Sequence, residues 1–214
     1  MTGRTFDGVI FDMDSTLVDS LPAIVRVWTE FATRFGVTVG DLSHWFGRST
    51  RAIIDALVPP EHHAEAMSWI TEHELTDQDG VVALPGAAEA LRAAGPRGAV
   101  ATSATREMAY ARLAAAGLPT PAVLVTASDV VRAKPDPQIF LAAAAGLAAA
   151  PAACLVAEDA PNGLRAARAA GMATVAVTTT HTAEQLAPLA DVVVPDLSHV
   201  GLRLDGGRVQ VTRR

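Results

Sequence analysis

The chain has 214 residues, half of them apolar, and its 17 basic and 23 acidic side chains leave a formal net charge of −6. That is enough for one good-sized domain, or one domain plus a small insert, and too apolar for a disordered chain. The acidic balance without a basic cluster excludes a nucleic-acid surface, no apolar run reaches the roughly 18–20 residues of a membrane helix, and one cysteine, Cys154, cannot form an internal disulfide. With no hydrophobic leader at the start of the sequence, a cytoplasmic protein is expected.

The first predicted strand is "GVIF", residues 8–11, which runs straight into "DMDST". About 85 residues then separate Asp12 from the next strand-like run, far more than one crossover helix needs. "SLPAIVRVWTEFATRFG", "STRAIIDALV" and "EHHAEAMSWITEHEL" fill that gap with three amphipathic helical patterns. The expected organisation is therefore a core of residues 1–17 and 83–214 with a helical insert at 18–82. "ALPGAAEALRAAG" returns the chain to the core, and "GAVAT", "VLVTA", "CLVAE" and "ATVAV" supply further strands separated by helical stretches. "REMAYARLAAAGL" and "GLRAARAAGM" both end on a glycine placed as a helix C-terminal cap. Alternating strands and helices predict a Rossmann-like parallel sheet. "GLRLDGGRVQVTRR" predicts a hairpin turning at Asp-Gly-Gly.

In an open parallel sheet, ligands bind outside the carboxyl ends of the strands. The first strand delivers Asp12, Asp14 and Thr16 there, the second Thr102 and Ser103, and the fourth Glu158 and Asp159. Lys134 follows the third strand and is the only lysine beside sixteen arginines. Four acids on one rim repel one another and demand positive charge, from Lys134 or from a divalent cation held by oxygen ligands. No Cys/His cluster offers a zinc site, so magnesium is the natural ion. A carboxylate beside a metal and an ammonium suits attack on phosphorus, giving an aspartyl-phosphate at Asp12, with Asp14 as general acid and base.

Four segments in this order, "DMDST", "VATS", "KPDP" and "AEDAPNG", resemble the motifs of the haloacid dehalogenase-like (HAD) superfamily. The insert after the first motif resembles that superfamily's helical cap, and the similarity covers essentially the whole chain. The branch it is most similar to is that of sugar-phosphate and polyol-phosphate phosphatases. The resemblance implies Asp12 as nucleophile and magnesium ligand, Asp14 as acid/base touching the metal through its backbone carbonyl, and Asp159 as a further ligand with Glu158 beside it. It implies Thr102 and the Ser103 N–H as phosphate contacts, and Lys134 paired with Asp12 and the phosphate. It also implies Arg48, in "FGRSTR", as a contact for the non-reacting part of a small phosphate ester. The chain departs from the family at Ser15, where glycine is usual, and serine resists the backbone conformations that glycine permits. Its side chain is expected to point away from the substrate.

The residues also weigh against other chemistries of that superfamily. Dehalogenases lack the second aspartate, which is present here as Asp14. Phosphonatases use a cap lysine, and this insert has none. Hexose-phosphate mutases keep a cap histidine where this chain has Ile24. A phosphomutase or phosphotransferase of the same fold, or a non-enzymatic phospho-receiver domain, is the alternative to a phosphatase. Receivers, however, carry their acceptor on a middle strand and have no insert. His62, His63 and His73 are expected on the insert's surface, Trp28, Trp45 and Trp69 in its packing, and Asp129 in a turn. A monomer or weak homodimer is expected.

Overall fold

A computed structural model describes residues 3–38 and 50–213. Among these, the core is a six-stranded parallel sheet in the order β6-β5-β2-β7-β8-β9. The strands are β2 (Gly8–Phe11), β5 (Gly98–Ala101), β6 (Val123–Val125), β7 (Cys154–Glu158), β8 (Ala173–Val177) and β9 (Val192–Val194). Every residue of β2, β5, β7 and β8 is buried. That is why they read as continuous apolar runs instead of alternating ones. Alternation survives in which face each side chain serves. Val9, Phe11, Val100 and Leu155 enter one hydrophobic cluster, with helices α4 (Ala87–Ala94) and α5 (Arg106–Ala115). Ile10, Ala99, Ala101 and Val156 enter another, with α6 (Gln138–Gly146) and α7 (Pro161–Ala169). Gly117 and Gly171 follow α5 and α7 with φ of +65° and +75°, the left-handed helix ending expected of them.

Five parallel strands were expected and six are present. The sixth, β9, is a three-residue valine run that pairs with β8 and follows the short helix α8 (Ala183–Leu186). The C-terminal hairpin forms as expected from β10 (Val200–Asp205) and β11 (Arg208–Arg213), around Gly206 and Gly207 with φ of +55° and +78°. It is more than an appendage, because β11 also pairs antiparallel with β1 (Arg4–Phe6). Phe6, Val200, Val209 and Val211 thereby close over the same cluster as α4.

Among the described residues, the three helices expected between β2 and β5 are present: α1 (Leu21–Phe35), α2 (Thr50–Leu57) and α3 (His63–Thr76). These helices bury a cluster of their own, including Val27, Trp28, Phe31, Ile53, Ile54 and Ile70. Trp28 and Trp69 pack there, with His73 stacked on Trp69 at 3.7 Å. His63 pairs with Asp55. A two-stranded ribbon, β3 (Val18–Asp19) against β4 (Val82–Ala83), joins the ends of the helical stretch to the core. No helix among the described residues is long and apolar enough to cross a membrane.

Candidate active site

Strand β2 has β5 on one side and β7 on the other, so the order of connections reverses there. A crevice opens at the carboxyl ends of strands at such a reversal. The Asp12 N–H extends the ladder one residue further by donating to Ala157 O at 2.9 Å, which fixes Asp12 beside the end of β7. Glu158 closes β7 and Asp159 follows it. One carboxylate oxygen from each of Asp12, Glu158 and Asp159 lies within 4.8 Å of the others, and all three residues are buried.

Lys134 reaches into this cluster from the loop before α6. Its ammonium donates to Asp12 Oδ1 at 2.5 Å, to Glu158 Oε1 at 2.9 Å and to Ala101 O at 3.3 Å. Glu158 Oε2 accepts the Ala160 N–H at 2.6 Å, so both oxygens of that carboxylate are engaged. Asp159 accepts from the hydroxyls of Thr180 and, at 3.4 Å, of Thr16.

Three carboxylates and one ammonium carry a formal charge of −2. Burial pushes the Asp12 carboxyl up to about 7, with Lys134 opposing the rise and Glu158 reinforcing it. Burial, then Glu158 and Asp12, also raise Asp159 well above the ordinary carboxylate range. Burial alone would lower Lys134, but Asp12 and Glu158 outweigh it and raise its pKa. The deficit of two positive charges and the oxygen-only donor set fit one hard divalent cation.

Asp14 lines the same cavity, but its side chain is not in the cluster. Its Oδ1 accepts from Ser20 Oγ at 2.6 Å and from Arg112 Nη1 at 2.9 Å. Ser15 adopts φ of +62°, which explains why glycine suits this position. The turn is tied by the Ser15 N–H donating to Val18 O at 2.7 Å and by the Thr179 hydroxyl donating to Ser15 O. Ser15 is among the residues lining the cavity.

Thr102 and Ser103 also line the cavity. Thr102 Oγ1 accepts the Ala104 N–H at 3.0 Å, which leaves its own hydroxyl proton for a ligand. Arg48 and Trp45 lie outside the described residues. Asp129 belongs to a turn, as expected: it accepts from the Thr126 N–H and hydroxyl and pairs with Arg106. His181 sits beside Thr180, its Nδ1 at 2.8 Å from that hydroxyl.

The cavity has a volume of about 310 Å³, with the acid cluster on its core side and Ile24, Trp28, Ile53, Met67 and Glu74 on its helical side. Sequence reasoning did not single out Glu74, Arg112 or Gly163. A Cβ on Gly163 would stand 1.6 Å from Glu158 Oε1, so only glycine leaves room for that carboxylate. Trp28 was expected only in packing, but it also walls the cavity and donates its indole N–H to Glu74 at 2.9 Å.

A parallel sheet with a buried carboxylate cluster at its reversal point, roofed by helices, defines a Rossmann-like α/β protein whose site lies at the carboxyl ends of its strands. The model of the haloacid dehalogenase-like hydrolases matches residues 6–171, and the chain belongs to that family. It is 40% identical over 177 residues to hexitol phosphatase A of Escherichia coli (strain K12), covering 79% of this chain and 82% of that one. It is 37% identical over 202 residues to validoxylamine A 7'-phosphate phosphatase of Streptomyces hygroscopicus subsp. limoneus, covering 89% and 94%. Among solved structures, a hydrolase from Pseudomonas syringae superposes with a TM-score of 0.79 at 28% identity, covering 89% of this chain and 94% of that one.

Proposed function

We propose that the chain is a Mg²⁺-dependent phosphatase of small phosphorylated sugars or polyols, working through an aspartyl-phosphate at Asp12. The observation that carries the reading is the buried cluster of Asp12, Glu158 and Asp159 around Lys134, short of two positive charges and open to a cavity of small-metabolite size. The similarity to enzymes named for hexitol and validoxylamine phosphate hydrolysis supports the substrate class.

In this reading an Asp12 carboxylate oxygen attacks phosphorus, the P–O bond to the substrate breaks, and Asp14 gives its proton to the leaving oxygen. Asp14 then takes a proton from water as that water attacks phosphorus, the bond to Asp12 breaks, and inorganic phosphate leaves. Lys134 holds Asp12 in place and offsets its charge as the phosphate dianion approaches. The Thr102 hydroxyl and the Ser103 N–H hold the phosphoryl oxygens. Asp12 and Asp159, with the backbone carbonyl of Asp14, would hold Mg²⁺, whose chemistry is to neutralise charge on the transferring phosphoryl group. Ile24 on the cavity wall puts no imidazole at the mutase position, which favours water as the final acceptor.

Residues 18–82 act as a cap domain closing over a core of 1–17 and 83–214. The separate hydrophobic cluster of the helices and the β3–β4 ribbon at the joint support this division. The family resemblance also assigns Arg48, which lies outside the described residues, to the non-reacting part of the substrate. The enzyme works in the cytoplasm as a monomer or weak homodimer on small phosphate esters.

The test is phosphate release from a panel of sugar, polyol and short-acid phosphates, with magnesium and again with a chelator, using Asp12→Asn as the blank. Magnesium-dependent turnover that the blank lacks is expected. No release from folded, magnesium-supplied protein would refute the proposal.

A further inference from the structure

The helical side of the cavity is mostly apolar, yet two charged side chains almost shut off from solvent stand on its wall: Glu74 from α3 and Arg112 from α5. Their arrangement is specific. Arg112 Nη1 is spent on Asp14 at 2.9 Å, and Glu74 Oε1 is spent on the Trp28 indole at 2.9 Å. The facing atoms, Arg112 Nη2 and Glu74 Oε2, stop 3.7 Å apart, beyond hydrogen-bond distance. A buried ion pair held open in this way carries one donor and one acceptor, side by side and incompletely used.

We propose that the gap between Arg112 and Glu74 is a hydroxyl-reading subsite that selects a neutral, polyhydroxylated leaving group. The proposal rests on the phosphatase reading above for its substrate, and deepens it. A hydroxyl is the group that accepts from a guanidinium and donates to a carboxylate through one oxygen. A spacing of 3.7 Å admits an oxygen within hydrogen-bond distance of both atoms. A methylene in that place would strip water from both charged groups and return no hydrogen bond, the situation in which a polar site rejects a deoxy analogue most strongly.

A carboxylate or second phosphate has no proton for Glu74. It would also add negative charge where two carboxylates, Asp14 and Glu74, already share one guanidinium. Arg51, also on this wall, is largely exposed and pairs with Asp55 through Nε at 2.8 Å. Because Arg112 holds Asp14, the proposed proton donor to the leaving oxygen, the gap lies on the leaving-group side of the phosphate. Glu74 and Arg112 are thus specificity-determining residues, contributed by the helical layer and the core respectively.

Calorimetric binding in the Asp12→Asn background tests this, since that background turns nothing over. The ligands are a hexitol phosphate, an alkyl phosphate of the same chain length and phosphoglycolate, all with magnesium present. The hexitol phosphate is expected to bind tightest of the three. Adding Glu74→Gln, which keeps the shape and an acceptor for Trp28, should weaken the hexitol phosphate about tenfold, the loss of one hydrogen bond to a charged group. It should strengthen phosphoglycolate, so the two ligands move in opposite directions. Arg112→Lys should narrow the preference for the hexitol over the alkyl phosphate by a similar factor. Equal shifts for all ligands, as a purely structural role would give, or no shift, would overturn the subsite. Turnover by the wild-type protein with an unmoved binding preference in the variants sinks the subsite alone, and an ordered, variant-sensitive preference beside a wild-type protein that never releases phosphate sinks the phosphatase reading alone.

Discussion

Replacing Gly163 with alanine sets two effects of opposite sign against each other. Gly163 lies in helix α7, where alanine is favoured over glycine by about 1 kcal/mol in an exposed helix interior. Here the new Cβ would stand 1.6 Å from Glu158 Oε1, 2.0 Å from its Cδ and 2.7 Å from its Cγ. No adjustment of a few tenths of an ångström relieves such overlap, so the Glu158 side chain has to leave its place. It then gives up Lys134 at 2.9 Å and the Ala160 N–H at 2.6 Å, in a site where Glu158 is only 2% exposed. Hydrogen bonds to charged groups contribute about 1.5–3 kcal/mol each, so the loss is roughly 3–6 kcal/mol against a gain of about 1. The net, about 2–5 kcal/mol, corresponds to a fall in Tm of roughly 4–20 °C for a chain of this size.

Thermal denaturation of four proteins measures this: wild type, Gly163→Ala, Glu158→Ala and the double variant. Once the Glu158 side chain is shortened to a methyl, the clash is gone, and Gly163→Ala should become neutral or stabilising by up to about 1 kcal/mol. A Tm for Gly163→Ala at or above that of wild type would refute the reasoning. So would the same loss in both backgrounds, because the penalty would then not run through Glu158.

Two further outcomes follow from the same geometry. Ser15→Gly relieves a left-handed residue that costs a non-glycine about 1–2 kcal/mol, but frees an unfolded chain that costs somewhat less to order as serine; the expected result is a rise in Tm of about 1–3 °C, and a fall would show that the Ser15 hydroxyl matters more than its φ of +62°. Burial raises the folded-state pKa of Asp12 from 3.8 to about 7 and that of Asp159 in the same direction, so the metal-free folded state holds protons that the unfolded state has released, and its stability should fall as pH rises from about 4 to about 7. Magnesium needs those carboxylates ionised, so its stabilising shift in Tm should be several degrees near pH 8 and small near pH 5; a shift that is equal at both, or larger at the lower pH, would contradict binding at this cluster.

What the sequence revealed of this molecule divides along physical lines. The acids at the strand ends were legible because a β-strand delivers the residue after it to a known rim, whatever the rest of the chain does. The insert was legible because a gap of that length needs several helices, and amphipathic periodicity supplied three. Strand β9 was missed because three valines between an aspartate and a proline carry no period, and their pairing with β8 is decided by packing over α8. Strand β1, "RTF", has two exposed residues of three and forms because β11 returns to meet it from two hundred residues away. Gly163 stands in a motif that sequence reading did quote, but its reason for being glycine lies in the direction of the Glu158 side chain, which no spacing encodes. Glu74 and Arg112 were invisible for a similar reason. Each looks like one more charge on an amphipathic helix, and only the seating of α3 against α5 turns them towards each other.

Lys134 shows how composition and site chemistry meet. A chain that uses arginine sixteen times has kept one ammonium, and the three oxygens around it say why. Asp12 Oδ1, Glu158 Oε1 and Ala101 O come from the ends of three adjacent strands, β2, β7 and β5, and converge on a single nitrogen at 2.5, 2.9 and 3.3 Å. An ammonium offers three rotatable donors from one point, while a guanidinium spreads its five over a rigid plane suited to gripping one carboxylate side-on. Placed at this depth, with the side chain only 3% exposed and Phe140 beneath it at 4.9 Å, that plane would need the strands to separate. The lysine is therefore required by the closeness of β2, β5 and β7, the same closeness that crowds the carboxylates and leaves them short of positive charge.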